Sequence, residues 1–366
     1  MKKLLVDAHV FDYIHEGVRT YIKGLYSNYS LEKDSYELTL IAHDIQNLKN
    51  EFGENKGIKY IKLRFKNKFV RYFYEIPKII RKYKFDFAHF NYALPFFKSK
   101  SCKYILTIHD VLFLDFPSYF SLNYRVKHSI LFNFFIPRSD ILLTVSNYSK
   151  NQILNHFSHL NLSPLVTPNG VDSKNKSDCE IVLPFEKYIL LVSRIEPRKN
   201  HKILLDTYLK LQLWRRDIGL VLVGNYMHET KEIEELLKEL KRKANNHFQM
   251  RDNVSDLELN FLYENSTLCV YPSYCEGFGI PPLESGIRNI PTLCSNQTAM
   301  KDFDFFGHFH FDPHDYYEFE SKLLYCLDSV NSVSITKSCF EISSEIKKRF
   351  DWKISYNTIK EVIVEG

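Results

Sequence analysis

No pair among the seven cysteines of this 366-residue chain has C-x-x-C spacing. They stand at positions 102, 179, 269, 275, 294, 326 and 339, an odd and scattered set that indicates neither a disulfide framework nor a zinc site. A reducing, cytoplasmic compartment is expected. No stretch approaches the roughly 18 apolar residues of a membrane span, and the nearest, Ile130 to Ile136, is far too short. The apolar start Leu4-Leu5-Val6 is interrupted by Asp7 and His9 before a signal-peptide core would be complete. These absences predict a soluble or peripheral protein. The chain also lacks internal repeats, low-complexity tracts, a lysine-linked cofactor motif and an obvious catalytic nucleophile.

What is present describes a folded protein. Hydrophobic residues make up 45%, charged residues 25% and aromatic residues 15%, which argues against disorder. A chain of this length exceeds what one core usually supports, so two domains of roughly 150 to 200 residues are expected. The net charge of +5 is unevenly placed: Lys59 to Lys84 holds ten Lys/Arg against one acid, Glu75, interleaved with Phe65, Phe69, Tyr72, Phe73, Tyr74 and Tyr83. Two readings compete for that segment. It is either a solvated helix face beside core aromatics or a contact for an anionic membrane surface or nucleic acid.

Short apolar runs alternate with helical patterns throughout, the arrangement of parallel sheets covered by helices. In the first half, strands are expected at Leu4–Ala8, Glu37–Ala42, Ile58–Leu63, Phe85–Phe90, Tyr104–Ile108 and Ile141–Val145. Helices are expected there at Gly17–Tyr29, Val70–Tyr83, Ser121–Phe135 and Asn147–Phe157. In the second half, strands are expected at Tyr188–Val192, Leu220–Val223, Phe248–Met250, Leu268–Tyr271, Thr292–Cys294 and His308–Phe311. Its helices are expected at His201–Leu213, Glu229–Ala244, Asp256–Glu264 and Pro282–Arg288. Pro168-Asn169-Gly170 and the polar run Ser173 to Asp178 mark a linker. A last helix, Lys347 to Val364, follows a second domain that is already complete and is expected to cross back to the first. The boundaries drawn are 1–167, 168–346 and 347–366.

Two glutamates, Glu276 and Glu284, bracket a Gly/Pro-rich turn between a strand and a helix. Glycines let backbone approach a ligand, and a helix N-terminus offers unpaired N–H groups to phosphate, so the turn fits a sugar-nucleotide site. A turn with chance acids is the competing reading. Upstream, Ser193 to His201 is a basic strand-to-helix turn in which Arg194 and Lys199 suit a diphosphate, Arg as a planar fork and Lys as a point charge.

With these pieces together, the chain resembles the retaining glycosyltransferases of the GT-B fold, in the large family that includes bacterial polysaccharide mannosyltransferases. The resemblance rests on the Arg194 to Lys199 turn, the E-x7-E element from Glu276 to Glu284, Pro168 to Asp172, and Thr107-Ile108-His109-Asp110. Thr144 to Lys150 and Asn253 to Asp256 support it. It implies an α/β fold of two doubly wound Rossmann-like domains facing across a cleft, with the acceptor bound by the first and the nucleotide-sugar by the second. Arg194 and Lys199 would bind the donor diphosphate, Glu284 the ribose, and Glu276 the donor sugar, with the backbone of Gly277, Phe278, Gly279 and Ile280 completing the cradle. His109 would contact the transferred sugar, although a lone histidine is usually structural; Asp110 either orients its ring or caps the next turn. Gly17 stands where the family has a glycine-rich loop, reduced here to Glu16-Gly17.

The resemblance further implies front-face chemistry that needs no protein nucleophile, no cofactor and no metal. A D-x-D pair in a suitable loop is missing, since Asp302-Phe303-Asp304 lies beyond the donor motif. The expected function is hexosyl transfer from a nucleotide-sugar, GDP-mannose favoured and UDP-sugars open, to a saccharide acceptor, lipid-linked by analogy, in O-antigen or capsule assembly. Membrane contact is expected through Lys62, Arg64, Lys66, Lys68, Arg71, Lys78, Arg81 and Lys82, and no nucleic acid is expected. The alternatives are a GT-B relative that does not transfer, such as an epimerase or phosphorylase, and a noncatalytic sugar-nucleotide or nucleic-acid binder.

Overall fold

Strands covered by helices on both faces must be apolar on both faces, and Leu4, Leu5 and Val6 near one end of the chain and Ile189 and Leu190 near its middle are wholly buried. The computed structural model describes residues 1–12, 17–30, 32–53, 57–172, 179–225 and 230–365. These form two units, Met1–Gly170 with Phe350–Gly366, and Val171–Arg349.

The first unit runs β1 (Lys2–Asp7), α1 (Gly17–Tyr26), β2 (Tyr36–Ala42), α2 (Ile45–Phe52), β3 (Lys59–Lys62), α3 (Lys68–Val70) and α4 (Ile76–Tyr83). It continues with β4 (Phe87–Asn91), β5 (Lys103–Thr107), α5 (Leu112–Asp115), α6 (Leu122–Phe135), β6 (Ile141–Thr144), α7 (Asn147–His156) and β7 (Leu165–Val166). All its strands pair in parallel in the order β3-β2-β1-β4-β5-β6-β7.

The second unit runs β8 (Lys187–Val192), α8 (His201–Leu211), β9 (Ile218–Val223), α9 (Lys231–Ala244), β10 (Phe248–Arg251), α10 (Asp256–Glu264) and β11 (Leu268–Tyr271). Then come α11 (Ile280–Gly286), β12 (Thr292–Ser295), β13 (His310–Phe311), α12 (Tyr316–Asp328) and α13 (Val333–Arg349). Its parallel order is β10-β9-β8-β11-β12-β13. Each sheet therefore reverses its winding once, between β1 and β4 and between β8 and β11. Ligands of such sheets bind beyond the carboxyl ends of the strands beside that switch.

The chain ends in α14 (Trp352–Glu365), which packs in the first unit. A Cβ on Gly24 would lie 2.0 Å from the Trp352 ring and one on Gly170 2.6 Å from it, so both positions need glycine for close approach. Asp34 binds the helix through the Tyr356 hydroxyl (2.5 Å) and the Lys360 ammonium (2.7 Å).

Several expected elements differ. The helix expected from Lys347 is broken: Lys347–Arg349 end α13, and Asp351 accepts from the Lys353 amide at 2.9 Å to start α14. α2, α12 and α13 were not expected, although Ile335, Cys339, Ile342 and Ile346 of α13 follow helical spacing and are buried. The expected strand from His308 begins only at His310, after Gly307 at φ +52°. The expected helix from Val70 contains a π turn at Arg71–Glu75. Arg71 lies in that turn, buried, paired with Asp12 at 3.1 Å and bonded to the Phe65 carbonyl. It is therefore a structural cation, which corrects its expected place among those offered to a membrane. The polar run Ser173 to Asp178 and Glu16 lie outside the described residues.

Candidate functional site

In the second unit the two motifs leave neighbouring strands at the switch. The β8 exit carries Ser193–Asn200, closed by a tight 3-10 turn at Pro197–Lys199 and by Asn200 at φ +50° before α8 begins. The β11 exit carries Pro272–Gly279, closed by Gly279 at φ +101° before α11. A side chain at Gly279 would also meet Met300 at 2.8 Å, so the tight reversal into α11 favours glycine.

The carboxylate of Glu276 lies between the cations of the other loop. Its Oε1 pairs with Lys199 Nζ and accepts from Ser273 Oγ at 2.9 Å, and its Oε2 accepts from Arg198 Nη1 at 3.1 Å. Arg198 also donates to the Cys275 carbonyl (3.1 Å) and pairs with Glu196 (2.6 Å). Burial works against the charge of Glu276, but Lys199 and Arg198 outweigh it and hold the carboxyl down at about 2. The Glu276 amide donates to Thr298 Oγ1 at 2.8 Å, so the segment after β12 helps to fix the loop that presents this carboxylate.

The expected site residues divide. Glu276, Lys199 and Gly279 line one crevice with Ser193 and Ser273. Arg194 is exposed and forms no ion pair with a described residue. Glu284 lies on α11, accepting from the Tyr263 hydroxyl at 2.9 Å. Phe278 is buried with its ring against Phe303, and Ile280 is half-buried. Gly277 is buried in the same turn. Arg198 was missed; the signal was Pro197, which starts a turn compact enough to bring two consecutive cations onto one acid. Asp304 of the D-x-D sequence pairs with Arg349 at 2.7 Å.

In the first unit, His109 follows β5 and shares a 3.0 Å hydrogen bond with Asn91, the last residue of β4. As drawn, the asparagine oxygen accepts, which assigns the ring proton to Nε2. The ring meets Tyr21 edge-on at 4.9 Å and Tyr92 at 5.2 Å, and burial lowers its pKa to about 4, so it is neutral. Below it His89 is bound to the hydroxyls of Tyr26 (2.6 Å) and Thr107 (2.7 Å) and is lowered further, to about 3, by burial. Asp110 accepts from the Leu112 amide at 3.1 Å, the turn-capping role. Gly17 opens α1, exposed, with no atom within 4 Å of the place a Cβ would take. Two supporting motifs are helix caps: Ser146 for α7, and Ser255 with Glu258 as the capping box of α10.

With this geometry in view, comparison with known proteins is informative. A model of glycosyl transferases group 1 matches residues 181–332, and one of glycosyltransferase family 4 matches residues 17–175. O-antigen chain mannosyltransferase B of Escherichia coli is 26% identical over 288 residues, covering 75% of this chain and 73% of that protein. A glycosyltransferase of Rickettsia africae superposes with a TM-score of 0.71 at 18% identity, over 100% of this chain and 99% of that one. Anabaena Alr3699/HepE, solved with UDP-glucose, superposes with a TM-score of 0.70 at 14% identity over 100% of both chains. The structural likenesses speak to the fold, which is GT-B. The family models take in the second sheet, the first sheet apart from β1, and the loops that carry Lys199, Glu276 and His109, and the chain is a GT-B glycosyltransferase whose second unit matches the glycosyl transferases of group 1.

Proposed function

We propose that this glycosyltransferase moves a hexose, mannose from GDP-mannose, to a saccharide acceptor, lipid-linked, in bacterial surface polysaccharide assembly. The observation that carries the reading is the Glu276 carboxylate held between Lys199 and Arg198 at the switch of the second sheet. Lys199 and Arg198, held by Glu276 and, for Arg198, also by Glu196, make an anion site already occupied by internal carboxylates. A donor diphosphate would take over Lys199 and Arg198, with Arg194 added from its exposed position. Glu276 would then turn to the sugar hydroxyls, and Glu284 would hold the ribose. The mannosyl donor is favoured because the Escherichia coli relative is a mannosyltransferase.

In the proposed reaction the acceptor hydroxyl attacks the anomeric carbon from the face the nucleotide leaves. The new C–O bond forms as the bond to the diphosphate breaks, and a diphosphate oxygen takes the hydroxyl proton. The cations stabilise the charge growing on the leaving group, work otherwise given to a metal ion. His109, neutral, would hydrogen-bond a hydroxyl of the transferred sugar. Retention of anomeric configuration and activity in the presence of a chelator belong to this reading.

The test is a thermal-shift series with GDP, UDP, ADP and their sugars, since a ligand of the native state raises stability by mass action. GDP-mannose is expected to give the largest shift, persisting at moderate salt. A larger shift with a UDP-sugar would correct the donor; no shift with any nucleotide, together with steeply salt-dependent RNA or DNA affinity, would favour the nucleic-acid binder.

A further inference from the structure

Helix α6 has two apolar faces. Phe132 and Phe135 point inward and are buried, as a helix covering a sheet requires. Leu122, Val126, Ile130 and Phe134 recur every fourth residue on another face and are 43% to 67% exposed. Among the described residues no helix is long and apolar enough to cross a membrane, so this stripe is no part of a span.

The stripe continues into a second exposed cluster. The Phe134 ring lies 6.1 Å from Phe96, which meets Phe69 at 5.7 Å and Phe73 at 6.0 Å, and Phe73 meets Phe97 at 4.7 Å. Phe69, Phe73 and Phe97 are 44% to 62% exposed. Cations surround these rings: Arg138 stacks on Phe134 at 4.7 Å, and Lys66, Lys68, Lys100 and Lys127 are exposed on the same three segments, while Lys98 pairs with Asp140 at 2.6 Å. Acids are missing from residues 87–109 and 116–139. Between Leu63 and Phe85 the one acid is Glu75, buried and bonded to the amides of Arg64 (2.6 Å) and Phe65 (3.3 Å).

We infer that this face of the first unit docks on an anionic membrane surface, inserting the α6 stripe and the Phe69/Phe73/Phe97 cluster at the interface while the cations meet lipid phosphates. Aliphatic and aromatic side chains rimmed by Lys and Arg, with Asp140 as an exposed acid already paired to Lys98, match the acyl–headgroup boundary of an anionic leaflet. A nucleic acid would gain nothing from Leu122, Val126 and Ile130, which offer no ring for a base to stack on. A second copy of the chain would bring cations against cations. The inference is independent of the donor reading, because no residue of the second unit takes part.

Flotation of the full chain with vesicles of phosphatidylcholine, with and without phosphatidylglycerol, tests it. Binding is expected to the phosphatidylglycerol vesicles and to be at least tenfold weaker without that lipid. The triple variant Leu122→Ser, Val126→Ser, Ile130→Ser is expected to lower binding at least tenfold. Lys66→Glu with Lys68→Glu is expected to weaken it by at least about fivefold per residue, from about 1 kcal/mol per cation at such a surface. Both variants are expected to keep the thermal unfolding and the donor-induced shift of the parent, which separates loss of docking from loss of fold or of donor binding. Absence of vesicle binding by the parent, undiminished binding by the serine variant, or a dimer in light scattering that the serine variant abolishes would overturn the inference.

Discussion

Beyond the strand ends of the two sheets stand two polar clusters of opposite character. Around Glu276 two cations and a serine hold a fully ionised carboxylate. Around His109 the neighbours are tyrosine rings and an asparagine, and the imidazole is neutral. Both positions are largely buried; the difference lies in what accompanies them. Burial disfavours charge in both, and only the second unit supplies enough opposite charge to overcome it. The second unit thus holds a cluster of paired charges, the first a neutral one.

The sharpest way to break this contrast is to remove a cation. Lys199→Ala is expected to lower kcat/KM by a factor of about 10² to 10³ in a transfer assay, the usual cost of losing a group that stabilises developing charge. Glu276→Ala is expected to be similarly damaging while retaining nucleotide binding in a thermal-shift assay. Turnover at parental rates in either variant would remove the site assignment. Arg198→Ala should cost about as much as removal of one such contact, roughly 10²-fold, whereas an effect confined to Arg194→Ala would mean that Arg198 only positions Glu276.

Acid separates the two clusters. A group whose pKa is depressed in the fold contributes stability that is complete above its unfolded value and is lost as pH falls toward the folded one. For His109 and His89 that loss runs from about 6.5 downward, past about 4 and toward about 3. For Glu276 it runs from about 4.5 to about 2. Melting temperatures recorded from pH 7 to 3 should therefore fall first in the histidine window, to which the buried His201 and the half-buried His310 also contribute, and His109→Asn should make that first segment shallower without touching the second. The same variant should leave the pH–rate profile between 6 and 8 without a lost inflection, because a histidine already neutral there has nothing to titrate; disappearance of an inflection near 6.5 would show that His109 is protonated in the working enzyme.

The smallest effects compare two glycines. Gly279→Ala forces a side chain into φ +101° and against Met300, and is expected to cost about 1 to 3 kcal/mol in denaturant unfolding. Gly17→Ala has open space and opens a helix, so its stability should stay within about 0.5 kcal/mol of the parent. A loss of donor affinity without loss of stability at Gly17 would mark it as a backbone contact.

Much of this was legible beforehand. Continuous apolar strands at regular intervals made two parallel doubly wound sheets readable, because burial on both faces leaves a direct compositional trace in β1 and β8. Glu276 and Lys199 were legible because their motifs leave strand ends. Arg198 was not, since nothing in one dimension states that a 3-10 turn will aim it at an acid 78 residues away. Arg71 read as one cation in a basic run and is buried instead, because a π turn places it beside Asp12.

The alternation of strands and helices, the excess of positive charge from Lys59 to Lys84 and the identity of the acids and bases follow from the sequence alone, being properties of local pattern. Their pairing does not. Which carboxylate is held ionised, which imidazole is kept neutral and which phenylalanines stay outside depend on distances across the fold, and a charge or a ring acquires its role only from the groups that packing sets against it.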